Sequence, residues 1–250
     1  MAVRIYCIHT ITGLVETFNS LIGDTVPGDV LVHHISDESL IRRILSNGEI
    51  TKDVRKRFFD NVTAAEQAGA DIVQVTCSSV TPAIACAREL VDIPIFSIDE
   101  PMARKAVSEF DKIGVMATNP GTLYPSSQLL ESTAETLHRK VEVRPVLCEG
   151  AYDALLVGNK ERHDRIVLDY FREITKEVDA VVLAQASMAR IINPPDEGKR
   201  AEERAYRRPH TPVLTSPGPA VESLAEFIRS SAEYSAKAGL AKEREKEGDS

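Results

Sequence analysis

A cysteine ends the apolar run in "ADIVQVTCSSVTPAI", residues 70–84, and Ser78, Ser79, Thr81 and Pro82 follow it. Small hydroxyl residues and proline open helices, so Cys77 is expected between a strand and the first turn of a helix starting near Val80. Unpaired N–H groups and the positive end of the helix dipole favour thiolate at such a place. A thiolate there is a base, and an acid once protonated. A second stretch, "VDAVVLAQASMARI" (178–191), has the same form with Gln185 where the cysteine would be. Glutamine does not exchange a proton near neutral pH, so its chemistry is binding and orientation. The other cysteines, Cys7 on a strand, Cys86 on a helix and Cys148 at a strand end, are expected to pack as small buried hydrophobes.

Elements that could position these residues alternate along the chain. Strand-like runs are "RIYCIH", "VLVHHI", "DIVQVT", "PIFSI", "KIGVMA", "VEVRPV", "AVVLAQ" and "PVLTS". Amphipathic stretches such as "ITKDVRKRFFDNVTAAEQAG" and "HDRIVLDYFREITKEV" separate them and are long enough to cross a sheet face. This alternation predicts parallel α/β architecture. The strands also repeat. Asp71 aligns with Asp179 and Cys77 with Gln185 at an offset of 108 residues, and the same offset aligns Thr10 with Thr118 and Gly13 with Gly121. Pro94 aligns with Pro212 at 118, which places an insertion in the polar loop "NPPDEGKRAEERAYRRPH".

Two junctions in one register indicate a duplication. The expectation is two pseudo-symmetric Rossmann-like α/β/α domains with parallel sheets and an interdomain cleft. Residues 1–100 with 211–240 form the first, residues 101–210 the second, and 241–250 a disordered charged tail. Ligands of open parallel sheets collect at the carboxyl ends of the strands. His9, Thr10, Cys77, Ser78, Ser79, Thr118, Thr122, Gln185 and Ser187 would line the cleft. Taken singly, the hydroxyl residues read as helix caps; taken together, they form a donor-rich site suited to a carboxylate. The His163–Asp164 pair reads as a solvated pair opening a helix.

Composition excludes several classes. At 250 residues and 43% apolar content the chain can bury a large interior, and its net charge of −8 argues against a nucleic-acid partner. No stretch is apolar enough to span a membrane, so no membrane partner is expected. The four cysteines show neither a C-x-x-C pair nor metal-ligand spacing with the six histidines, so no metal is expected and the thiols suit a reducing cytoplasm. No nucleotide-, zinc- or hydrolase-type motif is present, and no cofactor is indicated. With aromatics at 5% and no tryptophan, the ligand expected is a small polar acid.

The duplicated halves, "VTCSS", "IDEP" at 98–101 and "ATNPGTL" at 117–123 resemble the aspartate/glutamate racemase superfamily, which includes hydantoin racemases, maleate isomerases and arylmalonate decarboxylases. The resemblance runs from about Val3 to Ala238. It implies a cytoplasmic enzyme without cofactor or metal, assembled as a homo-oligomer and acting beside the carboxylate of a small organic, amino or sugar acid. It also implies a thiol acid/base at Cys77 and a second one at the position held here by Gln185. The chain departs from the pattern there, with Gln185, Ala186 and Ser187 in place of cysteine, threonine and histidine, and with His9 where an aspartate follows the first strand. One-cysteine chemistry stays open: isomerisation on one face, protonation after decarboxylation, or binding of an organic acid without turnover.

Overall fold

The computed structural model describes residues 2–185, 188–192 and 211–240. Ser187, the 194–210 insertion and the 241–250 tail lie outside the described residues. Eight strands are present among them: β1 (Val3–His9), β2 (Val30–Ser36), β3 (Ile72–Val75), β4 (Ile95–Ser97), β5 (Lys112–Ala117), β6 (Glu142–Leu147), β7 (Ala180–Leu183) and β8 (Val213–Thr215). They form two four-stranded sheets, ordered β2-β1-β3-β4 and β6-β5-β7-β8, with every pairing parallel.

Among the described residues the helices are α1 (Val15–Thr25), α2 (Glu38–Asn47), α3 (Lys52–Gln67), α4 (Thr81–Arg88), α5 (Glu100–Glu109), α6 (Pro120–Thr136), α7 (Ala151–Leu156), α8 (Lys160–Ile174), α9 (Ala189–Ile192), α10 (Pro217–Ser230) and α11 (Ala232–Lys237). Among the described residues no helix is long and apolar enough to cross a membrane. Two compact units result, one ending at Ile98 and resuming at Pro217, the other running from Asp99 to Ser216. The expected return to the first unit at 211 is corrected to 217. The reason is β8, whose backbone pairs with β7 and so completes the second sheet.

Period-two alternation builds each unit as three layers. Val3, Ile5 and Cys7 on β1 pack with Phe18 and Ile22 of α1 and with Leu224 and Ile228 of α10, while Ile8 faces Phe58 and Val62 of α3. In the second unit Ile113, Val115 and Ala117 pack with α5 and α6, and Met116 with Val167 and Phe171 of α8. The two crossover helices bury matching stripes, Val54, Phe58, Val62 and Ala65 on α3 and His163, Val167, Phe171 and Ile174 on α8. That 3.6-residue periodicity corrects the reading of His163. It is buried, its Nδ1 lies 2.7 Å from Asp164 Oδ1, and the cap belongs to Asn159, which accepts from the Arg162 amide. Pro145 is tolerated in β6 because that strand is an edge.

The duplication is visible in hydrogen bonds. The Asp71 carboxylate accepts from the Arg4 amide at 2.8 Å, and Asp179 does the same for Lys112 at 2.9 Å. The Val73 and Val181 amides donate to the carbonyls of Pro94 and Pro212. β1 and β3 pair Ile5 with Ile72, and β5 and β7 pair Ile113 with Ala180, so the register is the 108-residue offset itself.

Candidate active site

Strand order reverses about β1 in the first sheet and about β5 in the second. The carboxyl ends of β1 with β3, and of β5 with β7, are therefore the switch points where open α/β sheets hold ligands. In the first unit the Thr76 amide donates to the Ile8 carbonyl, 3.1 Å away, which ties the end of β3 to β1. Cys77 follows in extended conformation, φ −134° and ψ 121°, and precedes a 3₁₀ turn over Ser78–Val80 that runs into α4. The α-helix proper begins at Thr81 with Pro82 in its first turn, one residue later than expected. Cys77 is half-buried against the core beneath α3 and α4. Ser78 is half-buried and Ser79 buried behind it.

The other thiols differ. Burial pushes the Cys7 and Cys148 thiols up to about 12, which keeps both protonated at neutral pH. Cys86 is exposed on α4, a correction to the expectation that it packs inside, because Ala83, Ile84 and Ala87 form the buried stripe of that helix.

Thr10 and His9 end β1 in different ways. The Thr10 hydroxyl is buried and has no hydrogen-bond partner among the described residues. The His9 ring is also buried, with Nδ1 2.8 Å from Thr76 Oγ1 and Nε2 2.8 Å from His34 Nδ1, and it meets Phe18 edge-on. Burial, with the neighbouring His34 adding to it, lowers the His9 pKa to about 4, so the ring is neutral at pH 7. Both ring nitrogens are engaged inside the first unit.

The second unit carries the matching junction. The Thr118 amide and hydroxyl both donate to Gln185 Oε1, at 2.7 and 2.9 Å. These two donors fix the carboxamide oxygen and leave the two N–H donors of a half-buried side chain for another acceptor. The Gln185 carbonyl accepts from the Met188 amide as the Cys77 carbonyl does from Val80, again 108 residues apart. Thr122 is buried and serves the cap of α6: its amide and hydroxyl donate to Asn119 Oδ1 at 3.0 and 3.2 Å. The "IDEP" segment opens α5, where Asp99 accepts from the Ser216 hydroxyl at 2.8 Å.

Sequence reasoning missed two features here. The Thr118–Gln185 clamp needs a side-chain rotamer, which no pattern specifies. The His9–His34 contact was signalled by "VLVHHI" beside "RIYCIH", since register brings His34 level with Cys7.

No curated protein sequence matches this chain at a significant level. Among solved structures, a glutamate racemase isoform from Bacillus anthracis superposes with a TM-score of 0.69 at 18% identity, covering 91% of this chain and 82% of that one. Picrophilus torridus aspartate racemase gives 0.63 at 14% identity, covering 95% and 100%. Allantoin racemase from Klebsiella pneumoniae gives 0.59 at 18%, covering 91% and 87%. At these identities the likeness shows the fold. The sequence profile of the Asp/Glu/Hydantoin racemases matches residues 12–200, most of the chain, and the protein therefore belongs to that family.

Proposed function

We propose that this protein is a racemase-type isomerase that moves a proton on the carbon beside the carboxylate of a small organic, amino or sugar acid, with Cys77 as its acid/base and no organic cofactor. The observation that carries this reading is the pair of junctions in one register, each at a switch point, with a half-buried thiol in one and a clamped carboxamide in the other.

The thiolate of Cys77 takes the α-proton, and the negative charge that develops spreads onto the substrate carboxylate as an enediolate. Hydrogen-bond donors aimed at that charge lower the barrier. The N–H groups of Gln185, which the clamp leaves unused, suit the role, and the buried Thr10 hydroxyl, without an acceptor among the described residues, suits it too. Ser78, Ser79, Thr118 and Thr122 contribute donors or hold those that do. His9 acts from behind, by fixing the ends of β1 and β3 through Thr76. Gln185 exchanges no proton, so the second proton of a two-base racemisation has no thiol to supply it. The same feature favours a second reading, a decarboxylase in which Cys77 protonates the enediolate on one face.

Alkylation tests the reading, with exposed Cys86 as an internal reference. Iodoacetamide is expected to label Cys77 faster than Cys86 below about pH 8, and a bound carboxylate is expected to slow only the Cys77 reaction. Equal labelling, unaffected by any carboxylic acid, would leave an organic-acid binder or a packing cysteine.

A further inference from the structure

We propose that Cys7, His9 and His34 form a binding site for a borderline-soft metal cation, Zn²⁺ foremost, built into the first sheet independently of the acid/base role of Cys77. One donor atom from each of the three lies within 4.8 Å of the others. The arrangement follows from the sheet. Cys7 and His9 are two apart on β1 and share a face, and His34 on β2 is the register partner of Cys7. On its other side Cys7 pairs with Gln74 of β3, which is fully buried and whose Oε1 has no hydrogen-bond partner among the described residues.

The outer atoms of the rings are prepared as those of metal-bound histidines are. A ligating imidazole binds through one nitrogen and donates the other N–H to an oxygen, which fixes tautomer and orientation. His34 Nε2 lies 2.9 Å from Asn19 Oδ1, and His9 Nδ1 lies 2.8 Å from Thr76 Oγ1. The inner nitrogens, His9 Nε2 and His34 Nδ1, are 2.8 Å apart. Without metal, donation from Thr76 to His9, His9 to His34 and His34 to Asn19 satisfies the series.

With metal bound between the inner nitrogens, the Thr76 hydroxyl turns to the Ile8 carbonyl, 3.0 Å away, and the His9 proton moves to Nδ1. The Cys7 thiol gives its proton to solvent as the metal–sulfur bond forms. A site of one thiolate and two imidazoles suits Zn²⁺, Co²⁺ or Cu⁺ and rejects Mg²⁺ and Ca²⁺, which take oxygen ligands. Asn19 is exposed and His34 half-buried, which gives the cation an entry side.

The test is titration of the full, reduced chain with Co²⁺. A thiolate-to-cobalt charge-transfer band is expected to saturate at one equivalent, to be displaced by Zn²⁺ and to be indifferent to Mg²⁺. It is expected to vanish in Cys7→Ala and to persist in Cys77→Ala and Cys86→Ala. His34→Gln, at a half-exposed position where folding is not at stake, is expected to weaken binding at least tenfold, and Asn19→Ala about tenfold through the orientation of His34. No band, a band that survives in Cys7→Ala or at full affinity in His34→Gln, or one that depends on Cys77 or Cys86, would overturn the proposal.

Discussion

At the ends of β5 and β7, Thr118 spends both its donors on Gln185; at the ends of β1 and β3, Thr10 stands at the equivalent position with its hydroxyl buried and without a hydrogen-bond partner among the described residues, and Cys77 replaces the glutamine. In both places the amide of the third residue bonds back, to the carbonyl of Cys77 or of Gln185. The difference lies in what the side chains can satisfy. A carboxamide accepts two hydrogen bonds and locks its own junction, whereas a thiol is a weak acceptor and leaves a donor unused. The second junction thus closes on itself through the carboxamide oxygen, while the first leaves the Thr10 hydroxyl without a partner among the described residues. A buried unpaired hydroxyl costs stability, and its retention at the first junction supports the proposed role of that end in the reaction.

The largest effect should come from the thiol. Cys77→Ala is expected to abolish turnover while thermal unfolding stays near wild type, since little volume is lost. More than about a tenth of wild-type rate remaining would mean that less than ~1.4 kcal/mol of the barrier depends on Cys77. Cys148→Ala, a buried thiol of the second unit, is expected to do the reverse, keeping the rate and losing roughly 1 kcal/mol of stability.

Making the junctions alike is the next test. Gln185→Cys breaks the clamp but places a thiol in both halves, and it is expected to gain α-proton exchange at the second face of the substrate, read by NMR on resolved enantiomers. Loss of all exchange in this variant would show that the carboxamide is essential and that the second junction cannot be recruited as an acid.

Threonine-to-valine changes should differ in sign. Thr118→Val removes one donor from Gln185 Oε1 and is expected to destabilise the protein by about 1 kcal/mol and weaken carboxylate binding. Thr10→Val removes an unsatisfied hydroxyl at similar volume and is expected to raise stability by a comparable amount while slowing turnover. Equal destabilisation by both, in thermal melts, would refute the contrast between the two ends.

The smallest effect concerns pH. His9, whose place in the second half is taken by Ala117, has a pKa lowered from 6.5 to about 4 by burial and by His34 on β2; the Cys7 thiol shares that face, and Glu16 of α1 acts on His34. The unfolded chain therefore binds the proton more readily between those values, and stability of the metal-free protein is expected to fall as pH drops from about 6.5 towards 4. His9→Asn should flatten that limb in denaturant titrations, whereas no equivalent limb arises from Ala117.

Much of this was legible in the sequence because its signals are periodic. All eight strands fall on the runs read as strands, and the offset of 108 is the register of β1/β3 against β5/β7. The later offset of 118 reappears in the Pro94 and Pro212 carbonyls. What was illegible depends on helix phase and ring orientation. Cys86 looks like a core residue until α4 turns it outward, and His163 looks like a solvated cap until α8 turns it inward. Residues 211–216 differ from expectation because β8 belongs to the sheet of the preceding strand rather than to the helices that follow. The end of a strand suggests a ligand-facing His9, whereas strand parity puts its ring on the α1 face with Cys7, in the interior.

The most direct measurement is proton NMR of a panel of small carboxylic acids incubated with the protein in deuterium oxide, run in parallel with Cys77→Ala. A thiol acid/base beside a carboxylate should replace the α-proton of at least one acid by deuterium, or leave deuterium on the carbon that loses carbon dioxide, in the wild type alone. Deuterium incorporation that proceeds equally in Cys77→Ala, or no incorporation into any acid that protects Cys77 from alkylation, would contradict the assignment of Cys77 as the group that moves the proton.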